Sequence, residues 1–162
     1  MLSTRTIFLG LFLACASLLG FGLYLQHMKG IEPCPLCILQ RIAYITIAIT
    51  ALIATIHGPG HLFQRIYGSL ITLTALAGGG IATRQVWLQH LPPDQVPECG
   101  PGLEYMMEFL PIGEILDLIF TGSGECAEVL WTFLGFSIPQ WSLVCFTCLT
   151  IVGVILIFKK TE

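Results

Sequence analysis

The sequence predicts an all-α integral membrane protein, a four-transmembrane-helix bundle, and three observations carry that reading. Of 162 residues, 55% are hydrophobic and only 10% are charged, with a mean hydropathy of +0.84. A soluble domain usually carries about 25% charged residues, so this chain has too little polar surface to cover a globule in water. Four stretches reach the ~20 residues needed to span a bilayer. Their apolar runs are continuous rather than alternating, which favours helices over barrel strands, the two forms that satisfy every backbone group in lipid.

The first span runs from about Thr6 to Leu25. Its basic start, Arg5, and the stretch LFLAC resemble a cleaved leader, but the apolar run continues ten residues past Cys15. No polar mature start follows, so the segment is read as a retained span. The second span runs from about Ile38 to Ile56, the third from Ile66 to Leu88 through Gly78, Gly79 and Gly80, and the fourth from Trp141 to Phe158. A single domain, 1–162, is expected, with two extracytoplasmic loops at about 26–37 and 89–140.

Basic residues set the orientation. With four spans, Arg5, Arg65, Lys159 and Lys160 fall on one side, assigned to the cytoplasm along with both termini. The opposite loops hold Lys29, Glu32 and the eight acidic residues between Asp94 and Glu128, of ten in the chain. Arg41 and Arg84 sit near the outer ends of their helices and call for their own explanation. A charge there is expensive without a partner, so Arg84 is expected to line a pocket or to pair with an acidic loop residue.

Four of the seven cysteines fall in the outward loops: Cys34 and Cys37 in the first, Cys99 and Cys126 in the second. Disulfides persist in a periplasm-like compartment and not in the cytosol, so two pairs on one face point to disulfide chemistry. Pro33 and Pro35 restrict the backbone around Cys34, and helix two is expected to begin at about Cys37. A thiol at a helix N-terminus meets the positive end of the dipole and free N–H groups, which favour thiolate. Arg41, four residues on, returns to the same face, where it can stabilise a thiolate or an anionic electron acceptor. A structural disulfide, a metal half-site and a snorkelling Arg41 remain the alternatives at this point.

In the second loop, Pro92, Pro93, Pro97 and Pro101 hold the chain extended and present Cys99 on a stiff strand. Cys126 follows the flexible stretch TGSGE. A bond between them would close a loop of 28 residues, worth ~3.6 kcal/mol in the loop-entropy model. A structural staple therefore stands beside the reading of a disulfide meant to be attacked. Between the two, Leu103, Met106, Met107 and Leu110, then Ile112, Ile115, Leu116 and Ile119, follow helical spacing, as short amphipathic helices resting on the bilayer would. Trp131, Phe133, Phe136 and Trp141 form an aromatic return to the interface.

The stretches PCPLCILQR and GECAEVLWTFLGFSIPQW, with a second cysteine pair on the same side, resemble the DsbB family, bacterial inner-membrane oxidases that regenerate the soluble thiol oxidant DsbA. The resemblance covers nearly the whole chain. It implies that Cys99 receives attack from a reduced DsbA-like periplasmic partner, with Cys126 as its disulfide partner. Cys126 then exchanges with Cys34, and Cys37, paired with Cys34, becomes the thiolate facing a bound quinone, ubiquinone or menaquinone, with the respiratory chain beyond it. Arg41 matches the arginine that assists quinone reaction, His90 a histidine linked to the quinone site, and Trp131 a tryptophan near the ring. Physical logic agrees: an apolar quinone needs its thiol donor at the membrane edge, where Cys37 lies, while a soluble partner needs a cysteine on a long loop.

Cys145 and Cys148, in CFTC, lie outside that pattern and are read as packing, as is Cys15. His57 and His61, in HGPGH, are read as loop residues. No metal and no nucleic-acid partner are expected. The rival classes are a membrane metal carrier using cysteine ligands and a structural membrane protein braced by disulfides.

Overall fold

The structure, a computed structural model, describes residues 3–31, 33–92, 94–96, 124–129 and 131–159. Its elements are α1 (Thr4–Lys29), α2 (Pro35–His57), α3 (His61–Leu88), a 3-10 turn (Gly124–Cys126), β1 (Thr132–Phe133), β2 (Phe136–Ser137) and α4 (Ile138–Phe158). Among the described residues, these four α-helices are each long and apolar enough to cross a membrane. The chain is a multi-pass membrane protein.

Each helix runs beyond its expected span, because hydropathy marks only the hydrocarbon while caps and first turns form in the polar interface. The Thr6 N–H donates to the Ser3 side chain at 3.2 Å and starts α1 at Thr4. α2 begins at Pro35, where a missing N–H costs nothing in the first turn. α3 starts at His61 rather than Ile66, and α4 at Ile138, where Gln140 Oε1 accepts the Ser137 N–H at 2.7 Å. α2 ends at Gly58, whose φ of 59° is the left-handed cap that glycine takes without strain.

Membrane helices gain no hydrophobic drive from lipid, so they associate through close packing of small residues. Ala43, Ala51, Ala54, Ala75 and Ala82 are buried along α2 and α3, while Leu13, Ile56, Leu73 and Ile151 face outward. α3 and α4 make the most extensive pairing. A Cβ added at Gly68 would sit 3.2 Å from the Gly153 carbonyl oxygen, and one at Gly153 would run into the Thr72 side chain. A Cβ at Gly78 would strike the Phe146 ring, itself stacked on Tyr44 at 4.3 Å. α1 packs on α2 and α2 on α3, whereas α1 and α4 meet only marginally.

The chain reaches α4 through a feature the sequence reading did not contain. β1 and β2 form an antiparallel hairpin pairing Thr132 with Ser137 and Phe133 with Phe136. Its turn, Leu134 (φ 52°) and Gly135 (φ 83°), has the two positive φ angles of a type I′ hairpin. The amphipathic helices expected over 103–119, and Cys99 itself, lie outside the described residues.

Gly153→Leu should overpack the α3–α4 seam and cost about 1–3 kcal/mol, seen as a lower melting temperature in detergent. Gly10→Leu, whose added Cβ meets nothing within 4 Å, should leave it unchanged. Equal losses at both positions would contradict this packing.

Candidate functional site: a thiol cluster at the mouth of a cavity

Cys34 is the N-cap of α2, extended at φ −66° and ψ 164°, and the Ile38 N–H bonds its carbonyl at 3.1 Å. With the helix started there, Cys37 comes round at i+3 and its Sγ lies 3.0 Å from Cys34 Sγ. The 3-10 turn brings Cys126, fully buried, against Cys34, Leu36 and Leu88. Cys34 therefore stands between two other sulfurs. Hydrogen bonding to Cys126, then to Cys37, and then burial hold its thiol well above the ordinary cysteine range. Cys34 and Cys37 are free thiols here.

Two glutamines complete the cluster, and sequence reasoning passed over both. Gln85 on α3, 3% exposed, donates its Nε2 to Cys34 Sγ at 3.3 Å and to Cys37 Sγ at 3.2 Å. Its Oε1 accepts from Gln40 Nε2 at 2.7 Å. The signals were present: Gln40 repeats Cys37 at i+3, and Gln85 is a polar residue in an apolar span beside the conspicuous Arg84. Arg84 points the other way, exposed, with its guanidinium 4.5 Å from the Trp87 ring centroid.

Below the thiols lies a cavity of about 1140 Å³, lined by residues from all four helices and the hairpin. It occupies the region where α1 and α4 fail to close on one another. Cys34, Cys37, Arg41, Gln85 and Trp131 all line it, with apolar walls from Leu18, Phe21 and Ile138. Arg41 reaches from α2 to α1, its Nη1 donating to Gln26 Oε1 at 2.7 Å and its Nη2 to the Gly22 carbonyl at 3.2 Å. Trp131 packs edge-on against Phe21 at 5.8 Å and stacks on Phe133 at 5.9 Å. The Trp141 indole N–H fastens this aromatic wall to the Phe133 carbonyl at 3.0 Å. Ser137 Oγ ties the hairpin to Gln89 Oε1 on α3 at 2.7 Å.

Of the candidate residues, Cys34, Cys37, Cys126, Arg41 and Trp131 thus converge. His90 does not line the cavity; it is exposed, its ring nitrogen 2.8 Å from the Val86 carbonyl. Cys15 is fully buried in the core, Cys145 lines the deep end of the cavity, and Cys148 is exposed. His57 and His61 bracket the turn at the opposite end, His57 3.0 Å from the Tyr67 hydroxyl.

The similarity to known proteins extends over nearly the whole chain. A family model described as "Disulfide bond formation protein DsbB" matches residues 4–156. Over 158 residues the chain is 54% identical to "Disulfide bond formation protein B" of Aromatoleum aromaticum, covering 98% of this chain and 95% of that protein. The corresponding protein of an Azoarcus species is 52% identical over 156 residues, covering 96% and 93%. "Disulfide bond formation protein B 1" of Pseudomonas aeruginosa is 51% identical over 144 residues, covering 89% and 88%. Matched over nearly its whole length, with a membrane bundle that carries a thiol cluster at one end, the chain belongs to the DsbB family.

Proposed function

We propose that this protein is a thiol–disulfide oxidoreductase that reoxidises a soluble DsbA-like thiol oxidase and passes the electrons to a membrane quinone. The observation that carries the reading is the convergence of Cys34, Cys37 and Cys126 at an apolar cavity flanked by Arg41. In this proposal the thiol end of the bundle lies in the periplasm of a bacterium. Both termini, with Arg5, Arg65 and Lys159, then face the cytoplasm across the inner membrane, as the positive-inside rule favours.

Thiol exchange proceeds by attack of a thiolate on a disulfide sulfur. The partner's thiolate attacks Cys99 in a Cys99–Cys126 disulfide; a mixed disulfide forms and Cys126 leaves as thiolate. Cys126 then attacks Cys34 Sγ in a Cys34–Cys37 disulfide, forming Cys34–Cys126 and releasing Cys37 as thiolate. The partner's second thiolate resolves the mixed disulfide and departs oxidised. The freed Cys99 thiolate attacks Cys126, which restores Cys99–Cys126 and leaves Cys34 and Cys37 reduced. Cys34 suits the role of attacked sulfur, because its neighbours and burial disfavour its own thiolate.

The cavity fits a quinone by its size, its apolar and aromatic walls and its position at the gap between α1 and α4, where a lipid-soluble molecule could enter sideways. A bound quinone supplies a two-electron, two-proton acceptor, which no side chain here provides. Arg41 and Trp131 would hold the ring beside Cys37. The guanidinium, anchored by Gln26 and the Gly22 carbonyl, offers a fixed positive charge to an oxygen gaining electron density, and the aromatic wall excludes water.

Purified protein given a reduced DsbA-like partner should reduce quinone, and Cys37→Ser or Cys99→Ser should each drop the rate to the uncatalysed background. A correctly folded parent inactive with several quinones would overturn the proposal. Arg41→Met should lower kcat/KM for quinone about ten- to a hundred-fold, as expected for losing a charged hydrogen bond of about 1.5–3 kcal/mol. Unfolding measured on the same sample separates this from loss of the α1–α2 tie.

A further inference from the structure

We infer that Gln85 stabilises the departing Cys37 sulfur during exchange at Cys34, and thereby sets how strongly the Cys34–Cys37 pair oxidises. This rests on the exchange order proposed above. In that step Cys126 thiolate forms a bond to Cys34 Sγ, the Cys34–Cys37 bond breaks, and its electron pair stays on Cys37. The step consumes and generates one thiolate, with no net oxidation and no proton required. Its position of equilibrium depends on what meets the new charge on Cys37.

Among the described residues, two side chains donate to that sulfur: the Cys34 thiol at 3.0 Å, which has no proton to give once Cys34 is bonded to Cys126, and the Gln85 carboxamide, with Nε2 at 3.2 Å from Cys37 Sγ and 3.3 Å from Cys34 Sγ. Arg41, the nearby cation, is turned to α1: its Nη1 and Nη2 bond Gln26 and the Gly22 carbonyl. Gln85 cannot simply turn over, because its Oε1 is held by Gln40 Nε2 at 2.7 Å, which aims the N–H end at the sulfurs. Gln40 in turn is fixed by its place one turn after Cys37 on α2. The pair is buried, at 5% and 3% exposure, so water competes little for these bonds.

A hydrogen bond to an ionised acceptor is roughly twice as strong as one between neutral groups, and stronger still in a low-dielectric site. Donation from Gln85 therefore favours the reduced, anionic state over the disulfide. The arrangement is also direction-specific. Oε1 lies 3.7 Å from Cys37 Sγ and faces the protonated thiol, while Nε2 faces the thiolate. A single fixed amide serves both states without moving.

The test measures the thiol–disulfide equilibrium of full-length protein in detergent against glutathione buffers, with Cys99→Ser and Cys126→Ser isolating the pair. Gln85→Met should shift that equilibrium about ten-fold toward the disulfide, a potential about 30 mV lower. Gln40→Met, which frees the amide without removing it, should shift it in the same direction by less. An equilibrium within two-fold of the parent for folded Gln85→Met overturns the inference; if that variant does not fold, an unchanged Gln40→Met does so. A purely structural glutamine would lower the melting temperature and leave the equilibrium alone. Neither quinone nor soluble partner enters the assay, so its result stands apart from whether the proposed electron acceptor is right.

Discussion

The turn Pro33–Cys34–Pro35 is the constraint on which the site depends. It makes Cys34 the last extended residue and Pro35 the first helical one, so Cys37 rises at i+3 with its sulfur 3.0 Å away. One residue of slip in the helix start would rotate Cys37 by about 100°, off the face that α3 packs against. Because the helix begins there, Gln40 and Arg41 also take fixed places, one toward α3 and the other toward α1.

Lipid imposes the second condition, that polar groups find partners inside the protein. Among the described residues no buried side-chain nitrogen or oxygen is left without a hydrogen-bond partner. At the far end of the bundle Gln64 Nε2 donates to the carbonyls of Leu156 and Lys159, both at 2.7 Å, capping the end of α4. Gln40 and Gln85 bridge α2 and α3 in the same way but end on sulfur. Close packing through Ala75, Ala82 and Gly153 draws α3 against its neighbours. Nothing comparable pulls α1 onto α4, so the space that remains becomes the cavity.

The membrane class and the four helices were legible because composition and apolar run length report directly on burial in lipid. Cys34, Cys37 and Arg41 were legible from a short local pattern that fixes their helix face. The glutamines were not, since an uncharged amide in an apolar span gives little signal until its partner on another helix is known. The β1–β2 hairpin was hidden for a different reason: Phe133, Leu134 and Phe136 look like an interfacial anchor, and only Gly135 hints at a turn. His90 shows the converse, a residue matched by motif whose side chain bonds its own helix at Val86 rather than reaching the cavity.

Direct exchange between Cys126 and Cys34 would put soluble thiols and membrane electrons in one relay. The most direct test is to mix the oxidised protein with reduced partner while withholding quinone, then acid-quench and map disulfides under non-reducing conditions. The expected product is a peptide joining Cys34 to Cys126, formed while Cys37 is free to alkylating reagent. Reduction of Cys99–Cys126 with Cys34–Cys37 still paired, and no joined peptide at any time, would contradict it.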